Sequence, residues 1–554
     1  MLILAGVTIS MLTGENGILT KVKEAKEKTK QAEQEETYAL ESVLNKINSS
    51  APSTDGYNES KEVNSPKITQ GMIPVKWNGT NWQVCSQDDN EWYSYKDKKW
   101  ANIMLSDGKY KSDTVNVEQV VKDDELGSMY VWIPRYAYTV DNTSKKMNVT
   151  FVKGNTNEGV NGETFTTDES VDTKTTKLVH PGFNLGGTAL TGIWVAKFEA
   201  SGTDKNGNSV GNASSTSNEE QYHPDETTIA KSLPNKISWR HITIGESEKR
   251  SMDITTTDKD KFGINYASSH LIKNSEWGAV AYLSYSEYGS VPKINAAGKI
   301  NSTPWYTYNM YTGQGPKSET DEGRYEKIDD THNYNTINGQ TASTTGNTTG
   351  IYDMNGGAME RVAAYLDNEI SNLNTTGHST SNDKIKYFEN GKLNEIYKNL
   401  WDSYEVSEEE KNNRIYIEGE EPISQISLTD YTKRAVKYQT ARKRLTDYNF
   451  KQMAKHKGIG VNEVASECSY YAPYDNNGNR EWFITVDEPA KESGVVPQYA
   501  RTWGNDGVPI GHTAAVFTVR GSGFYGESKA GILSSEITYG DNYHDGGFRS
   551  VIIL

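Results

Sequence analysis

From about Gly127 onward, apolar residues recur in short runs that are separated by Gly, Asn, Ser and Thr. Short runs rich in Val, Ile, Tyr, Phe and Trp, bounded by turn-forming residues, are typical of β-strands. The pattern therefore predicts a β-rich domain, and its strands are expected at Met129–Pro134, Tyr136–Val140, Val149–Val152, Ile193–Glu199, Ala515–Val519 and Ser550–Leu554.

Helical periodicity interrupts this pattern in two places. Near residues 268–286 the apolar side chains Trp277, Val280, Ala281 and Leu283 lie on one face of a helix, which Asn274 or Ser275 is expected to cap. Further on, the segment 365–500 is predicted to carry helices near 384–402 and 429–456.

Residues 71–126 are predicted to form a small Trp-rich β module. Ile73–Trp77 and Trp82–Val84 flank Asn78-Gly79, a pair that supplies the positive φ angles of a tight hairpin turn. A second hairpin is expected from Trp92–Tyr95 and Trp100–Met104. The tryptophans are either a sugar-stacking platform or the core of a small sheet, and the second interpretation is favoured because small sheets need large apolar side chains.

A long helix is predicted over residues 1–48, and a polar linker is predicted over residues 49–70. Its apolar run, residues 2–12, is shorter than the roughly 20 residues that a membrane-spanning helix needs. The sequence LILAGVTISMLTGENGILTKVKEAKEKT resembles the mature N-terminal helix of pilin-like and pseudopilin-like proteins of Gram-positive bacteria. That resemblance implies membrane contact only through this helix and packing with pilus or type II secretion-like filament subunits. It also leads us to expect a genomic start codon upstream of Met1.

Composition narrows the class of protein. A chain of 554 residues is too long for one core, so two to four domains are expected. The net charge of −16 argues against nucleic acid as a partner, because a nucleic-acid binder clusters Lys and Arg against the phosphates. Abundant Trp and Tyr in a chain with only 34% apolar residues favour an extracellular or cell-surface β-rich protein.

Few residues offer metal or nucleophilic chemistry. The two cysteines, Cys85 and Cys468, lie far apart without a Cys/His cluster, so no zinc site is expected and a disulfide between them is the less favoured alternative. Asp204–Asn208 and Asp475–Asn479 have a D-x-N-x-N spacing, but neither is followed by the Glu that closes an EF-hand loop. We therefore predict no cofactor and no metal and interpret both stretches as Asn/Gly turns, with calcium binding by their oxygens as the less favoured alternative.

Five markers in order identify a family resemblance. They are VWIP (131–134), KFE (197–199), ISW (237–239), Leu271 to Trp277 with its Glu-Trp ending, and GIYDMNGGAMERV (350–362), before a closing RGSG (520–523) and GFR (547–549). Together they resemble the formylglycine-generating-enzyme-like version of the C-type lectin fold. The resemblance implies an α+β domain over 127–554, with an insertion at about 365–500.

The departures from that family concern its chemistry. The oxidase branch keeps one or two cysteines between the RGGSW-type and GFR markers, since thiolate chemistry or copper ligation needs sulfur. Here no Cys lies between Arg520 and Arg549, and Gly357–Arg361 replaces the usual Asn-Val-Trp-Glu-Trp. We therefore predict a protein that is not an enzyme; the alternative is a formylglycine-generating-type oxidoreductase with an altered site.

The segment between Arg520-Gly521 and Gly547-Phe548-Arg549 is the candidate binding loop. Tyr adds contact area at low entropic cost, and Ser, Gly, Asn and Asp adapt their hydrogen bonds, as in antibody paratopes. The loop resembles the variable region of target proteins of diversity-generating retroelements, and the alternative is an unvaried, merely solvated loop. Its candidate ligand-binding residues are Phe524, Tyr525, Glu527, Lys529, Glu536, Tyr539, Asp541, Asn542, Tyr543, His544 and Asp545.

The expected function follows from these parts. A pilin-like helix would present a lectin-type domain at the cell surface, where its C-terminal loop binds an unknown protein or glycan without catalysis. A structural pilus or phage component without a ligand is a further alternative. The two marker ends of the loop are expected to be framework that holds it in place.

Overall fold

The structure is a computed structural model of the whole chain. It describes Lys21 and residues 52–204, 209–210, 227–290, 293–294, 300–301, 310–315, 330–366, 387–389, 392–404, 456–460, 463–464, 467–474, 480–486, 499–501, 507–509, 517–521, 531–538, 540 and 546–554. Residues from Pro52 to Leu554 form one compact unit. The predicted N-terminal helix and the start of the linker lie outside the described residues, apart from helical Lys21.

An eight-stranded antiparallel sheet forms the centre of this unit. The final strand, Ser550–Ile553, lies inside the sheet between Ser268–Leu271 and Gly192–Ala196. Its central strands, such as Met129–Pro134 and Gly192–Ala196, are buried along their whole length, which explains why their sequences are mostly apolar instead of alternating. In spatial order the strands are Ser268–Leu271, Ser550–Ile553, Gly192–Ala196, Met129–Pro134, Asn102–Leu105, Met72–Trp77, Trp82–Val84 and Val120–Val121.

The Trp-rich segment 71–126 supplies half of this sheet. Its first hairpin is confirmed, with Trp77 paired to Trp82, but the expected second hairpin is replaced by a 3₁₀ helix, Tyr95–Asp97, before strand Asn102–Leu105. That strand pairs directly with Met129–Pro134, so the boundary expected between 126 and 127 falls within one continuous sheet. Three of the four tryptophans are core residues: Trp82, Trp92 and Trp100.

A second, mixed sheet lies at the C-terminal part of the chain. Its longest strand is Met359–Leu366, which pairs in parallel with Asp402–Tyr404 and Gly546–Phe548 and antiparallel with Phe517–Arg520. Phe517–Arg520 in turn pairs antiparallel with Ser535–Thr538. The predicted strand at 515–519 is thus found two residues later.

The helix expected near 268–286 is shorter than predicted and runs from Asn274 to Ser284. Residues 268–271 form a strand instead, because they pair with the C-terminal strand. The N-cap is Lys273, not Asn274 or Ser275: its backbone N–H donates to Glu276 Oε2 at 2.9 Å. The Ser275 N–H donates to the Asp402 carboxylate at 2.6 Å, so a distant residue completes the helix end.

The described part of the 365–500 insertion contains more strand than helix. Within 384–402, where a helix was expected, strands Phe388–Glu389 and Lys392–Leu393 precede a 3₁₀ helix, Glu395–Leu400. Residues 429–455 lie outside the described residues. A four-stranded antiparallel sheet extends to residue 509, and its strands are Arg480–Val486, Glu467–Tyr474, Tyr499–Arg501 and Gly507–Pro509.

Smaller elements complete a mixed α+β architecture, as the sequence predicted. Helices Ile244–Asp253 and Lys259–Phe262 precede strand Ser268–Leu271. Across the described residues, no helix has the length and apolar character that crossing a bilayer requires. The remaining strands are Tyr57–Asn58, Val63–Asn64, Tyr136–Asp141, Lys146–Phe151, Leu178–Val179, Asn184–Leu185, Thr188–Ala189, Ala200–Thr203, Ser209–Val210, Ile229–Ser232, Lys293–Ile294 and Ile300–Asn301, and the remaining 3₁₀ helices are Asp123–Glu125, Pro181–Phe183, Asp330–His332 and Gly339–Ala342.

Trp82 provides a test of the core interpretation. It is fully buried, packs edge-on against Trp77, and donates from Nε1 to the Tyr334 hydroxyl at 3.0 Å. Trp82→Ala is expected to lower the free energy of unfolding by about 3–5 kcal/mol, as loss of a large buried side chain does. Urea denaturation measures this, with exposed Val117→Ala as the control. Equal denaturation midpoints for the two variants would contradict a core role.

Candidate functional site

The candidate loop is defined in the structure by its two ends. Of the predicted ligand-binding residues, Glu536 lies half-buried on strand Ser535–Thr538. The other ten lie outside the described residues, and they are Phe524, Tyr525, Glu527, Lys529, Tyr539, Asp541, Asn542, Tyr543, His544 and Asp545. The strands at the two ends of the loop, Phe517–Arg520 and Gly546–Phe548, are among the described residues.

Both ends of the loop are fixed to the same strand. Across the second sheet, Glu360 is paired with Arg520 on one side and with Gly547 on the other. Neighbouring strands lie about 4.8 Å apart, so the two ends stand about 10 Å from each other. The chain leaves the second sheet after Arg520 and returns at Gly546 on the other side of a single strand. The predicted loop is not continuous, because Ser535–Thr538 returns to the same sheet as a strand beside Phe517–Arg520.

Arg549 holds the second end of the loop in place. Its side chain is fully buried, and its guanidinium donates from Nε to Glu360 Oε2 at 2.6 Å and from Nη2 to Glu360 Oε1. The remaining hydrogen bonds go to the Ala196 carbonyl at 2.8 Å and the Tyr352 carbonyl at 2.9 Å. This two-point contact between a guanidinium and a carboxylate fixes orientation as well as charge.

Two further carboxylates lie against this ion pair. Asp353 accepts the backbone N–H of Gly313 at 2.8 Å, and Glu199 accepts the N–H of Ala358 at 2.9 Å and the Ser238 hydroxyl. Gly357, with φ +73°, leaves no room for a side chain, since a Cβ there would lie 2.6 Å from Glu199 Oε1. The chain thus wraps closely around the buried acids.

Burial controls the protonation of this cluster, which we call the acid–arginine cluster (Glu199, Asp353, Glu360 and Arg549). Desolvation raises the pKa of Asp353 to about 6 and that of Glu360 to about 7, although Arg549 opposes both shifts. Desolvation and the neighbouring Glu360 and Asp353 raise the pKa of Glu199 well above its usual value. Three buried acids face one cation, so protonation of Glu199 brings the cluster closer to neutrality.

Arg520 fixes the first end of the loop and links it to the insertion. Its side chain is fully buried, and Nη1 donates to the Ile459 carbonyl at 3.0 Å. A few residues on, the Glu463 carboxylate accepts the hydroxyls of Tyr138 at 2.8 Å and Tyr282 at 2.7 Å. The sequence analysis did not predict this support. The one sequence signal for it was the Gly-Ile-Gly run at 458–460, whose two glycines have φ angles of +74° and +84° in the structure.

The four-stranded sheet of the insertion extends past the predicted end at residue 500 to Pro509, and it also reaches the candidate loop. Strand Gly507–Pro509, at the edge of the four-stranded insertion sheet, lies beside strand Ser535–Thr538. The loop is therefore bordered by the insertion, a neighbour that the sequence did not indicate.

The described thiol does not provide a nucleophile. Cys85 is a buried free cysteine, so no disulfide joins it to Cys468. Burial raises the pKa of its thiol to about 12, which leaves it protonated at neutral pH. Among the described residues no group of three or more His, Cys, Asp or Glu is arranged to hold a metal ion. Most of the two D-x-N-x-N stretches lies outside them.

Comparison with known proteins found no match to this sequence. No protein-family model matches the chain. No curated protein matches it either. The candidate site is therefore defined by its own residues and geometry.

Arg549→Met tests the dependence of the fold on the acid–arginine cluster. Removing the cation leaves three buried carboxyl groups without it, and breaking a buried pair typically costs about 3–5 kcal/mol. We expect a loss of that order in the free energy of unfolding, measured by urea denaturation. The control is Lys109→Met, which breaks a surface pair between exposed Lys109 and half-buried Glu125 and should shift the midpoint far less. A denaturation midpoint for Arg549→Met equal to that of the control would contradict the dependence of the fold on the acid–arginine cluster.

The raised pKa values predict a pH dependence of stability. Between about pH 4 and pH 7 the folded cluster binds more protons than the unfolded chain, so its contribution to stability is present at low pH and falls as pH rises. Glu199→Gln removes one titrating group while keeping an acceptor for Ala358. The stability advantage of the wild type over this variant should therefore shrink between pH 5 and pH 7.5, measured by urea denaturation at each pH. An advantage that grows over this range would contradict the assignment.

Proposed function

We propose that this protein is a non-catalytic, ligand-binding protein of a bacterial surface or filament, and that its C-terminal loop forms the binding face. The observation that carries the proposal is the contrast between the loop and its support. Residues 522–530 and 541–545 are rich in Tyr, Ser, Gly, Asn and Asp, whereas Arg520 and Arg549 at the two ends of the loop are fully buried. A variable or adaptable loop needs such a rigid base, since an unsupported loop would lose entropy on binding.

The proposed fold is a C-type-lectin-like domain of the formylglycine-generating-enzyme-like kind. What supports it is that markers distant in sequence meet in one place. Glu199 from the KFE marker and Asp353 and Glu360 from the GIYDMNGGAMERV marker surround Arg549 from the GFR marker. Their joint burial gives these motif positions a shared structural role.

The absence of sulfur in the loop supports binding over catalysis. No Cys lies between Arg520 and Arg549, where the oxidase branch of the resembling family keeps its reactive thiols. Cys85 is buried in the sheet region and protonated, so it does not substitute for them. The ligand class we propose is a protein surface or a glycan, because tyrosine rings and short polar side chains suit both.

The experiment is a binding screen with a loop variant. The full chain is applied to a glycan array and to an array of extracellular proteins, alongside the triple variant Tyr525→Ser, Tyr539→Ser and Tyr543→Ser. We expect the wild type to bind at least one probe and the triple variant to lose that signal, with an unchanged thermal melt. The matched control is Tyr266→Ser, which removes a tyrosine that is 74% exposed outside the loop.

The outcomes separate the alternatives. Binding that survives in the triple variant would refute the loop as the binding face. A wild type that binds nothing on either array would favour a structural pilus or phage component. Oxidation of a cysteine in a sulfatase-type peptide would favour the altered enzyme. A near-identical template repeat beside a reverse-transcriptase gene would support diversification of the loop.

A further inference from the structure

Glu199 differs from the other two acids of the acid–arginine cluster in the hydrogen bonds of its carboxyl group. Glu360 receives two N–H donors from Arg549. Asp353 receives the backbone N–H of Gly313 at 2.8 Å and that of Glu199 at 3.3 Å. Glu360 and Asp353 thus have an N–H donor on each carboxyl oxygen, which suits the ionised form, because an ionised carboxylate only accepts hydrogen bonds.

The contacts of the Glu199 side chain suit a protonated carboxyl group. Its Oε1 accepts the Ala358 N–H at 2.9 Å, and its Oε2 contacts the Ser238 hydroxyl. A hydroxyl accepts as well as donates, so a proton on Oε2 would have Ser238 Oγ as its acceptor. Glu199 is 1% exposed, and desolvation, together with Glu360 and Asp353, raises its pKa well above the usual value. Geometry and burial therefore agree in placing a proton on Glu199.

The charged groups that face Glu199 come from two neighbouring elements. Asp353 and Glu360 belong to the segment 350–362, and Arg549 immediately precedes the final strand. A third element, the 237–239 turn, contributes the uncharged Ser238 hydroxyl. The cations nearby in sequence or in the sheet donate to carbonyl oxygens, and they are Lys197, Arg361 and Arg520. Ionisation of Glu199 would therefore leave three carboxylates around one guanidinium.

Glu199 holds a strained turn over residues 353–358. Asp353 has a φ of +66°, which is uncommon for a residue other than glycine, and Gly356 has a φ of +130°. The Asn355 side chain is 2% exposed, and its amide N and O have no hydrogen-bond partner within the described part of the chain. A buried amide without partners costs free energy, and opening of the turn would let water reach it. Such strain persists only where the surrounding structure holds it.

This turn leads directly into the strand that holds the second end of the candidate loop. Met359–Arg361 follow the turn and pair in parallel with Gly546–Phe548. On its other side, the Tyr352 carbonyl precedes the turn and accepts Arg549 Nη2 at 2.9 Å. Movement of the turn would therefore disturb both the strand pairing and the arginine that fix this end of the loop.

We propose that Glu199 is a proton-controlled latch, which holds the 353–358 turn closed when protonated and, on losing its proton, lets the turn open and loosens the second end of the candidate loop. Opening hydrates the acid, which then ionises as an ordinary glutamate does, so opening releases a proton and becomes more favourable as pH rises. The latch would regulate the proposed binding loop, and it rests on the proposed function only for its effect on binding.

Hydrogen exchange of the full chain, followed by mass spectrometry between pH 5.5 and pH 7.5, tests the latch without a ligand. Protection is corrected for the intrinsic exchange rate. In peptides that cover residues 353–361 and 546–549 it should fall at least about tenfold per pH unit, because each opening releases at least about one proton. Strand Met129–Pro134 is the internal reference for global unfolding. About 1 M urea should speed exchange of this strand while changing that of the turn far less, because local opening exposes little surface.

Glu199→Gln is the decisive variant. Its amide can accept the Ala358 N–H and donate to Ser238 Oγ, as the protonated acid does. The fall in protection per pH unit should be about tenfold smaller in this variant than in the wild type. The matched control is Glu91→Gln, which changes a surface acid whose side chain is 79% exposed, and it should behave as the wild type does.

Three results would overturn the latch. They are wild-type protection of the turn that stays constant from pH 5.5 to pH 7.5, an equal fall in Glu199→Gln, and exchange of the turn with the same rate and urea dependence as Met129–Pro134. The first result needs no variant, so the test does not depend on the folding of Glu199→Gln. A protein that binds no probe on the arrays but shows the expected pH dependence would retain the latch and lose the proposed function.

Discussion

The buried ion pair between Arg549 and Glu360 connects the parts of this protein that would otherwise be separate. Arg549 immediately precedes the last strand of the central sheet, and Glu360 lies in the second sheet. Hydrogen bonds to the Ala196 and Tyr352 carbonyls bring two more segments to the same guanidinium. A charge that is removed from water is tolerated only with such complete partners, so each segment constrains the position of the others.

This arrangement gives the loop its rigid support. The strand that contains Glu360 lies between the two ends of residues 521–545, and buried arginines stand at both ends. Arg520 then extends the support to the insertion through the Ile459 carbonyl, and Glu463 joins that segment to buried tyrosines of the main domain. Residues 531–538 belong to this framework, because Ser535–Thr538 pairs with Phe517–Arg520 and Ile532 and Leu533 are buried. The display that we propose therefore concerns the remaining residues of the loop.

The composition of the loop determines the kind of partner that it suits. The loop offers tyrosines and small polar residues, which adapt to extended protein or glycan surfaces. The insertion supports the main domain at a further point, because Asp402 accepts the Ser275 N–H at the start of helix Asn274–Ser284.

Local sequence determined the elements whose signals are short-range. Met129–Pro134 and the Asn78-Gly79 hairpin formed as predicted, because β-branched runs and tight-turn residues act within a few positions. The marker residues of the GFR and KFE motifs were also recognisable, although not that they would share one buried cluster. Tertiary structure decided the rest. Residues 268–271 became a strand because the chain's last strand pairs with them, and the Trp-rich segment joined the main sheet because Asn102–Leu105 pairs with Met129–Pro134. Pairings between distant segments depend on the whole fold, and no local pattern encodes them.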